Sequence, residues 1–235
     1  MIRNDLKFGL LLLFLALSGA APAEERPIVV ELFTAEGCSA CPPADRLLGE
    51  LAQRPDILAL AFHVDYWDHL GWKDPFSFHD ATLRQRRYAG RLNLSNVYTP
   101  QMVVEGATDA VGSDRAEVGA ALGSPRQGPP IRLRAADGKL QIGLAAQAGA
   151  PSADVFLVAY RSAAETKVLR GENAGRMLKE YAIVRALRLV GRWKGKAADF
   201  SVDLSSLPAD ADMAAVLIQS ADQGPMIGAA NVTLR

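Results

Sequence analysis

Cys38 and Cys41 are the chain's two cysteines, and two residues separate them. A thiol pair at this spacing can do redox chemistry: one sulfur attacks as a thiolate and the other, about one helical turn on, resolves the mixed disulfide. The surroundings favour such a thiolate. An apolar, β-branched run (Ile28, Val29, Val30, Leu32, Phe33) predicts a buried strand. Ala35–Gly37 predicts a turn, and Leu47, Leu48, Leu51 and Ala52 mark one face of a following helix. Strand, then CxxC, then helix puts the pair at a helix N-terminus, whose unpaired N–H groups and partial positive charge stabilise a thiolate. Pro42 and Pro43 suit the first helical turn, which needs no N–H. Two other readings stay open. The pair is a static disulfide, although so small a loop constrains the unfolded chain little; or it binds soft Cu(I), with His63 as a third donor.

Further elements must complete the site. Ile57 to Val64 predicts a second buried strand, apolar until His63, as a central parallel strand would be. Its C-terminal end is where open α/β sheets place their sites. Asp65 to Ser77 (DYWDHLGWKDPFS) predicts a loop without helical period, whose aromatic residues cap a core or line a cleft. His63, Asp65 and His69 match no rigid ligand spacing, so His63 reads as a hydrogen-bonded orienting group and no metal site is assigned. Phe78 to Leu92 predicts a helix with a solvated basic face at Arg84, Arg86, Arg87 and Arg91, and His79 carries no signal. Thr99-Pro100 precedes an apolar strand, where a proline fits only at the start and its peptide bond can be cis. Asp114 and Glu117 read as a capping box that opens a last short helix to Leu122. The predicted order is βαβαββα.

Residues 1–23 read as a secretory signal: Arg3 and Lys7, a short apolar run from Phe8 to Leu17, and an Ala21-Pro22-Ala23 cleavage site. The apolar run is too short to span a bilayer. The expected product is secreted or periplasmic, with no membrane attachment after cleavage. Acidic and basic side chains balance at 26 each, so nothing favours nucleic acid or anionic lipid. Ser124 to Pro130 is a Pro/Gly break, which divides the mature chain into residues 24–125 and 126–235. Beyond it, alternating short runs predict about seven strands and a mainly-β, sandwich-like domain. Tyr181 to Trp193 is ambiguous: its composition allows a helix, but its Val and Ile content and its neighbours favour a long strand. Gly171 to Arg176 (GENAGR) reads either as a turn or as a contact with the first domain or a partner.

The strand ending F-T-A-E-G-C-S-A-C, the helix after it and the distal Thr99-Pro100 resemble the thioredoxin superfamily; Leu32-Phe33-Thr34 before Gly37-Cys38 is closer to glutaredoxins. ELFTAEGCSACPPAD, HVDYWDHLGWKDPFS, YTPQMVVEG and GENAGR together resemble a family of exported bacterial proteins catalogued as domain of unknown function 1223. The superfamily resemblance implies an α/β thioredoxin-like first domain in which Cys38 attacks and Cys41 resolves. It implies that Pro100 is a cis-proline lying against the pair and that Thr99 offers its backbone to an extended substrate. Two positions depart from the pattern: Leu32 stands where thioredoxins bury an aspartate, with Glu31 facing the other way, and Gly37 stands where they carry tryptophan. Trp67 or Trp72 from the aromatic loop can cover the site instead. Glu36, His63, Asp65 and Trp67 are the candidates for groups that support the pair. The expected activity is thiol–disulfide exchange with periplasmic protein clients or a redox partner, without a cofactor. Copper handling and a noncatalytic partner-binding module with a fixed disulfide are the alternatives.

Overall fold

The computed structural model describes residues 24–123 and 125–234, so the expected signal, residues 1–23, lies outside the described residues. In chain order the first half forms β1 (Glu24–Arg26), β2 (Ile28–Thr34), α1 (Pro42–Leu51), β3 (Ile57–His63), α2 (His79–Arg91), β4 (Gln101–Val104), β5 (Thr108–Val111) and α3 (Arg115–Leu122). The second half forms β6 (Arg126–Gly128), β7 (Ile131–Ala136), β8 (Lys139–Leu144), β9 (Ala153–Lys167), β10 (Met177–Trp193), β11 (Ala198–Asp203), β12 (Met213–Ser220) and β13 (Met226–Thr233). Part of the expected aromatic loop, Asp65–Leu70, winds into a 3-10 helix.

Every residue of β2 and β3 is buried, as apolar runs without alternation require. The two strands are parallel, from Ile28 opposite Ile57 to Thr34 opposite His63. Their C-terminal ends therefore lie side by side at the edge from which the cysteines follow. Successive side chains of β2 face opposite ways. Leu32 lies on the α1 side, where it crowds Gly112 together with Ala44 and Pro100. Glu31 lies on the α2 side.

Arg84 of α2 is not on a solvated face. Arg86, Arg87 and Arg91 are exposed, but Arg84 is buried, because it shares a helix face with Ala81 and Tyr88. Its guanidinium donates to Glu31 Oε1 at 2.6 Å and to Gln219 Oε1 at 3.0 Å. The rings of Phe62, Tyr88 and Phe156 surround it at 5.2–5.5 Å. A buried charge is tolerated when it is paired and hydrogen-bonded in this way. The Asp114 side chain caps α3 as expected, accepting from the N–H groups of Ala116 and Glu117. Glu117 does not return the contact; its carboxylate accepts from Val111 N–H instead.

The second half does not build a sandwich of its own. One eight-stranded mixed sheet runs β13-β12-β9-β10-β3-β2-β4-β5, with β10 parallel to β3 through Ile183 and Ala61. β7, β8 and β11 form a separate three-stranded sheet. Leu140, Ile142 and Leu144 from that sheet pack with Val155, Leu157, Trp193, Val216 and Ile218 of the large one. The packing is sandwich-like, but one layer is shared with the first half. The core does not break near residue 125 either: Val158, Val184, Ala215 and Leu217 join the cluster that contains β2 and β3. Within the expected linker, Arg126–Gly128 is strand β6, antiparallel to β1.

β9 and β10 form one long hairpin, paired from Met177–Lys167 to Trp193–Ala153 with two register shifts. Tyr181 seats its arm on α1. Gly49 of α1 makes room for the ring, since a Cβ there would lie 2.5 Å from it. The tip of this hairpin, residues 168–176, reaches the cysteines.

Candidate active site

Cys38 and Cys41 are joined as a disulfide, with their Cα atoms 5.4 Å apart. Cys41 stands at the N-terminal cap of α1, and its carbonyl accepts from the N–H groups of Ala44 and Asp45. The pair is thus held at the positive end of a helix, as its spacing predicts. Both cysteines are buried, Cys38 to 1% and Cys41 to 0% exposure, while Ser39 and Ala40 between them are exposed.

Three segments close around this loop. The Thr99–Pro100 peptide bond is cis, and Pro100 is buried beside Gly112. The indole of Trp67 donates to Thr99 Oγ1 at 2.9 Å, and its Cβ would lie only 3.2 Å from a Cβ at Gly37. Gly37 therefore leaves the space that Trp67 fills. Trp72 donates to Glu36 Oε2 at 2.6 Å. The third segment is the hairpin tip with GENAGR, which fits both sequence readings: it is a turn, with Gly171 and Gly175 at positive φ, and it contacts the first half of the chain. Asn173 is buried, and its Nδ2 donates to the carbonyls of Glu36 at 2.9 Å and Cys38 at 3.0 Å. Glu172 accepts from Ser39 N–H at 3.2 Å.

Behind the loop lies a cluster of titratable groups. His63 Nδ1 meets Asp74 Oδ2 at 2.7 Å, and the same oxygen accepts from Glu36 N–H at 2.8 Å. His63 thus orients the aromatic loop, as its position at the strand end suggests. Thr34, opposite His63 in the sheet, donates to Asp45 Oδ1 at 2.8 Å. Burial disfavours a charged His63, yet the Asp74, Glu180 and Asp45 carboxylates outweigh it and raise the imidazole to about 10. Burial opposes a charged Asp74 as well, and His63 with two backbone N–H groups holds it low. Burial pushes Glu180 up to about 8 against the pull of His63, with Glu36, Asp74 and Asp45 adding to the rise. It also pushes Asp45 up to about 6, opposed by His63 and Thr34. Glu36 is raised by burial and by Asp74.

Cys38, Cys41, Thr99, Pro100, Glu36, His63 and Trp67 all fall within this constellation. Asp65 does not: its carboxylate is held by Thr82 and His79 at the start of α2. His69 is exposed. His63, the third donor of the copper alternative, has its Nδ1 engaged by Asp74, and among the described residues no group of three or more His, Cys, Asp or Glu is arranged to hold a metal. Sequence reasoning missed Asp45, Asp74 and Glu180. Asp45 and Asp74 sit inside two quoted motifs, and Glu180 alternates inward with Leu178 and Ala182, a position where an acid is unusual. A cavity of about 870 Å³ opens elsewhere, on β7, β8 and β11, lined by Arg132, Arg134, Gln141 and Phe200 and by no member of this cluster.

Protein AGR_C_4864 from Agrobacterium tumefaciens has a similar structure, with a TM-score of 0.78 and 28% identity over 90% of this chain and 96% of that one. HBP35 of Porphyromonas gingivalis shares the fold at a TM-score of 0.61 and 12% identity, over 89% of this chain and 76% of that one. No curated protein matches the chain. The model of the family described as protein of unknown function DUF1223 matches residues 29–219, which takes in the cysteines, the aromatic loop, the cis-proline and the hairpin tip. The chain belongs to the DUF1223 family.

Proposed function

We propose that this protein is an exported, thioredoxin-like catalyst of thiol–disulfide exchange with protein clients in the periplasm. The observation that carries the reading is the Cys38–Cys41 disulfide at the N-terminus of α1, next to the cis Thr99–Pro100 bond. In the reducing direction, Cys38 thiolate attacks a client disulfide, a Cys38–client bond forms, and one client sulfur leaves. Cys41 then attacks Cys38, closes the internal disulfide and releases the second client thiolate. The two electrons pass from the cysteine pair to the client. The opposite direction runs the same bonds in reverse. Exposed Leu70, Leu169 and Met177 lie next to or flank the GENAGR loop and offer apolar contact to a protein client.

A Cys41→Ser variant tests the reading. It should hold Cys38 in a mixed disulfide with a disulfide-bearing peptide, seen as a stable mass adduct, and Cys38→Ser should hold none. No adduct on Cys41→Ser would contradict the reading. The burial of both sulfurs favours a second reading, a fixed disulfide in a partner-binding module. That reading requires a pair that thiol reagents do not open in the folded protein.

A further inference from the structure

The Cys38–Cys41 disulfide is closed off by the tip of the β9–β10 hairpin, and the tip is held by few bonds. The two cysteines are 1% and 0% exposed. A thiolate has to reach a sulfur to exchange with it, so this arrangement admits none. Two side chains of the tip make the closing contacts. Asn173 Nδ2 donates to the carbonyls of Glu36 and Cys38, and the Glu172 carboxylate accepts from Ser39 N–H. An N–H donor beside an oxygen acceptor is what the backbone of an extended chain offers along its edge. The tip thus fills, with side chains, hydrogen-bonding positions that a client's backbone can fill. Its own anchorage is slight. From Leu169 to Met177 only Asn173 is buried. The other hydrogen bonds of the tip are internal, such as Gly175 N–H to the Val168 carbonyl, Arg176 N–H to the Asn173 carbonyl and the Arg176 guanidinium to Asn173 Oδ1. Gly171 and Gly175 bracket the contact residues at φ 78° and 80°. The tip is therefore a turn that can lift as a unit, at the low-stability end of the structure.

We propose that the hairpin tip is an internal competitor for the client's place on the cysteine loop. The inference rests on the exchange reading above. In the resting protein Glu172 and Asn173 occupy Ser39 N–H and the Glu36 and Cys38 carbonyls. A client enters as an extended segment: one of its carbonyls takes over Ser39 N–H, one of its N–H groups takes over the Cys38 carbonyl, and the tip lifts off Cys38 Sγ. The client thiolate then attacks Cys38, the client–Cys38 bond forms, and the Cys38–Cys41 bond breaks with its electron pair on Cys41. Exposed Leu169 and Met177, at the foot of the tip, stay beside the client's side chains. A client whose cysteines lie in a rigid folded surface cannot supply these backbone groups, so the tip selects unfolded or locally extended chains. A small thiol forms none of the replacement bonds and has to wait for the tip to open unaided. The tip returns when the client leaves.

Hydrogen exchange on a trapped adduct tests the competition. Cys41→Ser protein is loaded with a short unstructured peptide whose cysteine carries thionitrobenzoate; Cys38 thiolate attacks the peptide sulfur and thionitrobenzoate leaves. In the adduct the Asn173 side-chain amide, followed by nuclear magnetic resonance, should lose its protection while Ser39 N–H keeps its own. Gly175 N–H, internal to the turn, should stay protected. An Asn173 amide as protected in the adduct as in the free protein would overturn the proposal. Loading rates give a second reading. Asn173→Ala and Glu172→Ala should each take up the peptide faster, by about threefold to tenfold per hydrogen bond removed. Arg170→Gln, on the exposed tip but outside these contacts, should load as the parent does. Unchanged rates in both contact variants would also overturn the proposal. Melting checks the folds; if Asn173→Ala does not fold, the exchange measurement on the parent adduct decides. If Cys38 takes up neither the peptide nor iodoacetamide, even in Asn173→Ala, the exchange reading fails and the proposal with it. Peptide uptake with the tip still in place sinks the proposal alone, so the two failures are distinguishable.

Discussion

At the scale of single residues, Asn173 joins the two halves of the chain at the cysteines. Its amide satisfies two buried carbonyls on the Glu36–Cys38 segment. Asn173→Ala leaves both without that donor, which costs about 1–3 kcal/mol. It should also loosen the cover over Cys38, so dithiothreitol should open the disulfide faster while chemical denaturation begins earlier. Slower opening would contradict the covering role. Cys38 and Cys41 were legible in the sequence because their spacing before a helix is local, and the cis Thr99–Pro100 bond because a proline opens a strand there. The parts given to Thr99 and Pro100 came from the superfamily resemblance. His63 was legible because it ends an otherwise apolar strand. Asp45, Asp74 and Glu180 were not, because an acid reads as a surface residue until tertiary packing closes over it.

At the scale of elements, the buried Arg84–Glu31 pair fastens α2 to β2, and Gln219 extends the fastening to β12. Arg84→Met leaves Glu31 buried without its cation and should cost about 3–5 kcal/mol in denaturant unfolding. The double variant Arg84→Met, Glu31→Leu should recover most of that loss, and no recovery would show that the pair is not the main contribution. The long strand from Tyr181 to Trp193 was readable from its β-branched content. Its neighbour was not. Alternation tells which face of a strand is buried but not which strand lies beside it, so the pairing of β10 with β3 had no local signature. Arg84 was misread for a related reason: a helix face can be called solvated only when its opposite partner, here Glu31, is known.

At the scale of the molecule, the buried cluster sets the pH dependence of folding. Glu180 rises from 4.5 to about 8, Asp45 from 3.8 to about 6 and His63 from 6.5 to about 10. Each binds protons more tightly in the folded chain than in the unfolded one. The folded state therefore holds more protons, and stability falls as pH rises. For His63 the contribution is complete below 6.5 and is lost as pH rises through about 10. Asp74 acts in the opposite sense: its contribution is present above 3.8 and is lost as pH falls through its lowered folded value. The oxidised protein should therefore melt at a higher temperature near pH 5 than near pH 9. A higher melting temperature on the alkaline side would contradict the proton count.

The same cluster, the helix N-terminus and the hairpin tip all converge on one bond, so the reduction potential of the Cys38–Cys41 pair is the most direct test of the account. Purified protein equilibrated with glutathione buffers should give a value between roughly −120 and −270 mV, the range of exchange catalysts, and that value would fix the direction of electron flow. A value below about −300 mV would mark a structural disulfide and contradict the account.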